Sequence, residues 1–305
     1  MSSAKTEDYE YSLTLPATPD RVWAAWTDPT ALRAWFAEHA EVELRPGGAF
    51  RFWGKHTLGT PEAHEATQRL ELVEDATTLA FTWTWLGVAT RVEIALASDE
   101  WKPWPMGSDP PRREPQPGCK VTVRQTFAGA LPVEKASALV DDHWRLVFGN
   151  LFGHLDDASV VLPDYAQPTA EVRLSLFIEA PPNAVFRTLT EPELLNRWLA
   201  MGARVDARVG GGIDLGWSGA EGADSGFPLR ILELEPDRRL VISWPDWRGR
   251  TDEPDTRVSW DLVPENGGTR VDFLHDGFQR PVDRSDYQQG WQDFLGGLAQ
   301  VARSL

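Results

Sequence analysis

The chain has 305 residues, of which 42% are hydrophobic and 25% charged, a composition and length typical of a folded protein with two domains. Its formal net charge of −16 argues against a nucleic-acid partner and against an anionic membrane surface, because both are negatively charged. A single cysteine, Cys119, excludes a disulfide within the chain and a metal site built from several cysteines. No apolar run approaches the roughly 18 residues of a membrane span, and the polar N-terminus lacks a secretory signal, so we expect a cytoplasmic protein.

The first half of the chain predicts a strand, two short helices, a run of strands and one long helix. The alternating segment Tyr9–Leu15 predicts the first strand. Pro19 suits the first turn of one helix, and Asp28-Pro29 marks the start of the next. Period-two patterning then indicates several strands, and apolar residues on one helical face predict a long helix over residues 132–158.

The second half predicts the same order of elements. Val172–Ile178 alternates like a strand, and Glu191-Pro192 marks the start of the second of two short helices. Alternating segments that include Trp244 and Trp260 predict further strands, and a long helix is predicted over residues 283–304.

This repetition of elements is accompanied by a repetition of sequence. Residues 17–36 (ATPDRVWAAWTDPTALRAWF) and 180–199 (APPNAVFRTLTEPELLNRWL) share seven of twenty positions at an offset of 163. Later matches continue at offsets of 161 (Trp83 and Trp244), 166 (the Thr-Arg-Val segments), 150 (the last strand) and 147 (Trp144 and Trp291). We infer a tandem duplication.

The changes of offset locate the domain boundaries and an insert. We predict a first domain over residues 1–160, a linker over 161–170 and a second domain over 171–305. A Pro-rich insert of 16 additional residues lies near residues 98–118, where the second repeat has the hairpin sequence PENGG. We expect Trp101 and Trp104 of this insert to be exposed, as a lid or a partner surface; the alternative is a loop folded back on its own domain.

Each repeat is therefore predicted to be an α+β domain. A curved antiparallel sheet would be wrapped around one long C-terminal helix, with two short helices between the first strand and the rest. Bulky aromatic residues line such a sheet, and a cavity between the sheet and the long helix is the expected ligand site.

The motifs of both repeats resemble a known family. The pattern A-x-P-x-x-V-(W/F)-x-x-x-T-(D/E)-P-x-x-L-x-x-W, followed by R-x-G-G and a terminal helix with G-W-x-x-x-L-x-x-L, is similar to that of the activator of heat shock protein 90 ATPase homologue family. That family is part of the SRPBCC superfamily, which includes the START and birch-pollen-allergen-like proteins and has the helix-grip fold.

The resemblance implies a pocket between the sheet and the long helix of each repeat. Related members bind lipids, hormones or polyketides, some are cyclases or aromatases, and one eukaryotic branch stimulates the chaperone ATPase. The chain shows no separate stretch for the N-terminal chaperone-binding domain of that activator. A chaperone partner therefore has only weak support from the resemblance.

Two histidines of the first long helix are candidate pocket residues. His143 occupies the position of Gly290 at the offset of 147, and His154 lies on the same helical stripe, together with Val147. About 16 Å of helix axis separates the two histidines, which is too far for one metal ion. The alternative to a pocket role is a partly exposed helix histidine.

Gln125 and His275 correspond to each other in the last strand of each repeat. Each is in phase with the apolar residues before it, so both should point to the covered face of the sheet. A buried polar side chain must find a partner, which could be the backbone, water or a ligand; the alternative to a ligand site is a core polar residue satisfied within the fold.

Tryptophans on the strands are the main candidates for the pocket wall, although they could equally be ordinary core residues. The group His56, Glu62, His64 and Glu65 fits no standard metal-site spacing, so we expect no metal and no cofactor. The candidate ligand-binding residues are Trp83, Trp85, Gln125, His143, Val147, His154, Trp244, Trp260, His275 and Trp291.

The sequence thus favours binding of a small hydrophobic molecule over catalysis, and no catalytic residue is assigned. One alternative is a cyclase- or aromatase-like enzyme that uses His143 or His275 as an acid–base group. Another is a chaperone-associated adaptor of the stress response that acts through its acidic surface. We expect the first repeat, with its insert and His143, to be the functional one.

Overall fold

A computed structural model describes residues 8–58, 68–103, 113–133, 136–158, 160–167, 170–217, 229–245 and 254–305. These residues form two compact units. The first contains those within Met1–Pro103, Arg113–Pro168 and Pro281–Gln289, and the second those within Thr169–Arg280 and Gly290–Leu305. Glu62, His64, Glu65 and Trp104 lie outside the described residues.

The first unit has the order of elements that its sequence predicts. Two short helices follow the first strand, and a run of strands leads to a long helix. The elements are β1 (Tyr9–Leu15), α1 (Pro19–Thr27), α2 (Pro29–Trp35), β2 (His39–Val42), β3 (Phe50–Trp53), β4 (Leu70–Glu74), β5 (Thr78–Trp85), β6 (Val88–Trp101), β7 (Gln116–Phe127) and α3 (Ala136–Leu155).

The strands of this unit pair antiparallel in the order β1-β7-β6-β5-β4, and β2 and β3 form a separate hairpin. Along β5 the residues Phe81, Trp83 and Trp85 are buried, whereas the threonines between them are half-buried. This is the period-two pattern of a sheet with one covered face. The buried face joins α1, α2 and α3 in one hydrophobic core.

The short helices begin where their prolines predict. Pro19 and Pro29 lie in the first turns of α1 and α2, and the Asp28 side chain caps α2 by accepting a hydrogen bond from the Thr30 amide at 2.6 Å. The Trp35 indole nitrogen donates to the Ala25 carbonyl at 3.0 Å, which fixes α2 against α1.

The ends of the Pro-rich insert are strands rather than loop. The β6–β7 pairing continues to Asp99↔Gly118, Glu100↔Pro117 and Trp101↔Gln116. Pro117 is tolerated because β1 ends opposite Cys119, so that Pro117 has a pairing strand on one side only. The expectation of an exposed Trp101 is wrong: its ring is 7% exposed, lies 6.4 Å from the Phe152 ring and is covered by Arg113.

The second unit repeats the architecture. Its elements are β8 (Glu171–Ile178), α4 (Pro182–Thr190), α5 (Pro192–Leu195), β9 (Arg204–Val205), β10 (Gly212–Asp214), β11 (Leu229–Glu235), β12 (Arg239–Trp244), β13 (Thr256–Glu265), β14 (Gly268–Asp276) and α6 (Pro281–Arg303), the first nine residues of α6 being grouped with the first unit.

One seven-stranded sheet runs through this unit in the order β8-β14-β13-β12-β11-β10-β9. The turn predicted from PENGG joins β13 to β14, with Glu265 paired to Gly268. Asn266 and Gly267 between them have φ values of 48° and 82°, which is the left-handed conformation that a two-residue hairpin turn requires. The Trp198 indole nitrogen donates to the Thr188 carbonyl at 3.1 Å, matching the Trp35 bond of the first unit.

Both units are thus α+β domains with a large antiparallel sheet and a long C-terminal helix, as the sequence predicts. Within the described part of the chain, no helix combines the length and the hydropathy needed to span a bilayer.

Candidate ligand-binding site

A chain of buried hydrogen bonds links the sheet to the long helix in the first unit. The Trp144 indole nitrogen donates to Gln125 Oε1 at 2.8 Å, and Gln125 Nε2 donates to Thr90 Oγ1 at 3.2 Å. Thr90 in turn donates to the Trp83 carbonyl at 2.8 Å. The Gln125 side chain, fully buried, therefore finds partners on both neighbouring elements.

The second unit contains the equivalent chain with a histidine in place of the glutamine. The Trp291 indole nitrogen lies 2.9 Å from His275 Nδ1, His275 Nε2 lies 2.7 Å from Thr256 Oγ1, and Thr256 donates to the Trp244 carbonyl at 2.8 Å. An indole N–H can only donate, so Nδ1 is the acceptor and the imidazole proton is on Nε2, which donates to Thr256. Burial lowers the pKa of His275 to about 3, which keeps the ring neutral.

His143 is buried without such bonds. It is 4% exposed, and neither ring nitrogen has a hydrogen-bond partner among the described residues. Its ring centroid lies 5.2 Å from that of Trp85 and 5.6 Å from those of Trp83 and Trp144. Burial lowers the pKa of His143 to about 3, so the imidazole is neutral. An unpaired buried polar group costs about 1–3 kcal/mol of stability, so this residue needs an explanation.

Val147 and His154 are the remaining predicted site residues of the long helix α3. Val147 is buried in the same hydrophobic core as Trp83, Trp85 and Trp144. His154 is half-buried in the last turn of α3; burial, followed by the charge of Arg21, lowers its pKa. The structure therefore brings His143 together with Trp83 and Trp85, but not with His154.

The predicted residues of the second unit do come together. Trp244 lies 5.1 Å from Trp291 and 6.0 Å from His275, and Trp260 lies 5.8 Å from Trp291, measured between ring centroids. Trp217 and Phe294 add two rings stacked at 6.2 Å. These rings pack against one another between the sheet and the long helix, where the sequence predicted a pocket.

A small cavity lies between the sheet and the short helices of this unit, and Trp260 separates it from the rings around Trp291. Its volume is ≈ 10 Å³, room for about one water molecule. No residue of α6 lines it. The walls are formed entirely by apolar side chains from α4, α5, the segment after α5, and four strands and their flanks: Leu189, Leu195, Trp198, Leu199, Ile213, Leu215, Leu229, Leu240, Ile242 and Trp260.

Five of these positions carry larger, aromatic side chains in the first repeat, whereas Trp260 corresponds to the smaller Ile94. At the repeat offsets, Leu189 and Leu199 correspond to Trp26 and Phe36, Ile213 and Leu215 to Phe50 and Phe52, and Ile242 to Phe81. The strand pairing supports this alignment, since Phe81 pairs with Leu70 and Val92, and Ile242 pairs with the equivalent Ile231 and Val258. The first-repeat rings contact one another, with centroids 4.6 Å apart for Phe50 and Phe81 and 4.8 Å apart for Phe36 and Phe52.

Of the ten cavity residues, only Trp260 was predicted from the sequence to bind a ligand. Aromatic residues in strand phase were the signal for a pocket wall, whereas eight of the cavity residues are aliphatic. A position-by-position comparison of the two repeats would have shown five of them opposite aromatic residues of the first repeat. Thr90 and Thr256 were also missed as partners, although the repeat alignment pairs them directly.

The described residues contain no group of three or more His, Cys, Asp or Glu side chains that could hold a metal ion. His56 Nδ1 instead lies 2.8 Å from the Pro163 carbonyl.

The comparison with protein families agrees with the repeat structure. A sequence model of the family described as activator of Hsp90 ATPase homolog 1-like protein matches residues 16–102 and 179–303, one segment in each repeat and together more than half of the chain. The chain belongs to this family. The resemblance inferred from the motifs is therefore confirmed.

Several solved structures are similar to this chain. A Mesorhizobium loti protein is 27% identical and covers 43% of this chain and 95% of its own (TM-score 0.36). DynU16, from the dynemicin biosynthetic locus, is 20% identical and covers 98% of this chain and 100% of its own (TM-score 0.37). The Aha1 dimer of Colwellia psychrerythraea is 20% identical and covers 44% and 97% (TM-score 0.37). No curated protein matches the chain.

Proposed function

We propose that this member of the family binds a small, neutral, hydrophobic molecule, and that the cavity of the second unit is the binding site. The observation that carries the proposal is the cavity itself, because eight of its ten lining residues are aliphatic and the other two are tryptophans. Transfer of apolar surface from water into such a site is favourable by roughly 25 cal/mol per Å².

The cavity is smaller than any organic ligand, so binding requires its walls to move. The short-helix wall is the more adaptable one, since α5 has only four residues, Pro192–Leu195, whereas the equivalent α2 has seven. Backbone hydrogen bonds continue beyond α5, from the Arg197 N–H to the Leu194 carbonyl and from the Leu199 N–H to the Leu195 carbonyl, so α5 and the following segment would move together. We therefore assign the opening movement to α5 and the segment that follows it.

The sequence left two alternatives, a cyclase-like enzyme and a chaperone-associated adaptor. An acid–base role for His275 has no support in the geometry, because its two nitrogens are engaged with Trp291 and Thr256. Neither alternative gains a specific observation, and both stay predictions.

Titration of the full chain with toluene tests the proposal. In methyl NMR spectra, the Leu195 and Ile242 resonances should shift and saturate in the unmodified protein. Ile242→Phe, which copies Phe81 of the first repeat, should fill the cavity and weaken toluene binding at least about tenfold. Phe81→Ile is the matched control, because it makes the reverse change in the first unit.

The control should retain the toluene response of the Leu195 and Ile242 methyl groups. Unshifted Leu195 and Ile242 resonances at saturating toluene would overturn the proposed site. An undiminished response in Ile242→Phe would do the same.

A further inference from the structure

His143 defines a second site, in the first unit, with a different ligand chemistry. We propose that His143 is the hydrogen-bonding group of a site for a small, neutral, hydroxyl-bearing aromatic molecule of the phenol class. The tryptophans Trp83, Trp85 and Trp144 provide its aromatic walls. This inference does not depend on the cavity of the second unit.

The fold itself does not require a histidine at this position. His143 precedes Trp144, which donates to Gln125, and Gly290 precedes Trp291, which donates to His275 at the same offset. The second unit thus builds the same helix, sheet and hydrogen-bond chain with a glycine where the first has His143. The hydrogen bonds that link helix and sheet are complete without the His143 imidazole.

The polar atoms around His143 identify the ligand group. Both imidazole nitrogens and the Trp85 indole nitrogen are buried and have no hydrogen-bond partner among the described residues. A neutral imidazole has one N–H donor and one acceptor nitrogen, and an indole adds a further donor. A hydroxyl group can donate to the imidazole and accept from an N–H, so it satisfies groups of both kinds.

The surroundings select a neutral aromatic ligand. The centroid distances of 5.2–5.6 Å from His143 to three tryptophan rings are those of favourable aromatic contacts. A charged ligand would lose its hydration among these rings without gaining a counter-ion from them.

We place the route from solvent to this site at the β5–β6 turn. Trp85 is the last residue of β5, and the turn residues Leu86 and Gly87 have φ values of 50° and 80°. The left-handed conformation is unfavourable for a branched residue such as Leu86. Gly87 at the tip is exposed, so displacement of this turn would expose the Trp85 ring.

The test uses 4-methylphenol as the probe and toluene, which lacks the hydroxyl group, as its matched control. Nitrogen-15 NMR of the histidine-labelled full chain should show the His143 ring nitrogens shifting saturably with 4-methylphenol. Binding at this site should be about tenfold tighter for 4-methylphenol than for toluene, the effect of one net hydrogen bond. In His143→Phe, which keeps a ring but removes both nitrogens, the two probes should bind equally, as measured by the shift of the Trp85 indole N–H resonance in uniformly labelled protein.

His39→Phe makes the same chemical change at an exposed histidine and should retain the preference. Unchanged His143 nitrogen resonances at the solubility limit of 4-methylphenol would overturn the proposal, and so would a preference that survives in His143→Phe. The wild-type shift decides the matter even if that variant does not fold. A probe response at the Ile242 methyl group without one at His143 would refute this site and leave the proposed function intact.

Discussion

The two repeats share a fold and a chain of buried hydrogen bonds, and they differ in the side chains packed around those bonds. In each repeat, the tryptophan of the long helix donates to a polar residue of the last strand. That residue is bonded to a threonine of the neighbouring strand, and the threonine donates to a backbone carbonyl of the next strand. Gln125 and His275 fill the same place because each offers one acceptor and one donor there. The comparison shows that the position requires a pair of hydrogen-bonding functions and not a particular residue.

Around these hydrogen bonds, the two repeats differ in the size of their side chains. On the short-helix side, aromatic rings such as Phe50 and Phe81 occupy positions where the second unit has aliphatic residues and a cavity. Next to the helix tryptophan, the first unit has the imidazole of His143 where the second has Gly290. We therefore expect different ligand chemistry from the two units.

The largest expected effect is acid destabilisation of both units. His143 and His275 have a pKa of about 3 in the folded protein, against about 6.5 when unfolded. Below pH 6.5 the unfolded chain therefore binds more protons, and folding free energy is lost as the pH falls towards 3. At pH 5 we expect a loss of about 2 kcal/mol for each histidine relative to pH 7, measured by urea denaturation with circular dichroism.

His143→Phe should remove the contribution of His143 to this pH dependence and leave that of His275. The transition that this variant shifts reports the first unit. A first-unit transition whose midpoint keeps its full pH dependence in the variant would show that another group is responsible.

The two buried histidines should respond in opposite directions to the same substitution at pH 7. His275→Phe leaves the Trp291 N–H without its acceptor, removes one of the two hydrogen bonds of the Thr256 hydroxyl, and should cost about 2–4 kcal/mol. His143→Phe replaces an unpaired imidazole by an apolar ring and should be neutral or stabilise by about 1 kcal/mol. Thermal and urea denaturation of both variants measure the difference, and equal destabilisation would contradict the structural roles assigned here.

The fold could be predicted from the sequence because its signals are local and occur twice. Prolines mark the starts of α1, α2, α4 and α5, alternation marks β1 and β5, and the Asn266-Gly267 turn follows from its sequence. The strand ends of the insert were missed because prolines argue against strands, and only the pairing with β1 shows that Pro117 lies where a missing N–H is tolerated.

The candidate site could be predicted only in part. Strand phase correctly placed Gln125 and His275 on the covered face, but only coordinates show that Trp144 and Trp291 hold them. The cavity is a property of ten side-chain volumes from several elements, and no local pattern encodes such a sum.

An exchange of side chains between repeats should have the next largest effect on stability. Ile242→Phe adds atoms to a space of ≈ 10 Å³ and should cost about 1–3 kcal/mol through overpacking. Phe81→Ile removes part of a fully buried ring and should cost about 2 kcal/mol through the space it leaves. Denaturation midpoints of the single variants measure both costs.

A cost for Phe81→Ile without any for Ile242→Phe would mean that the second-unit walls move easily. That outcome would favour the adaptable α5 wall proposed for ligand binding.

The smallest expected effect compares two glycines at equivalent positions of the long helices, Gly149 and Gly296. A Cβ on Gly296 would meet no atom within 4 Å, so Gly296→Ala should stabilise by about 0.5–1 kcal/mol through the greater helix propensity of alanine. A Cβ on Gly149 would overlap Oε1 of Gln289, whose Nε2 donates to Asn150 Oδ1 at 2.8 Å. Gly149→Ala must displace that amide and weaken its hydrogen bond, which offsets the helix gain by about 1 kcal/mol. The melting temperature should therefore rise for Gly296→Ala and stay unchanged or fall for Gly149→Ala. An equal rise in both variants would show that the Gln289 amide contributes nothing to the stability of the first unit.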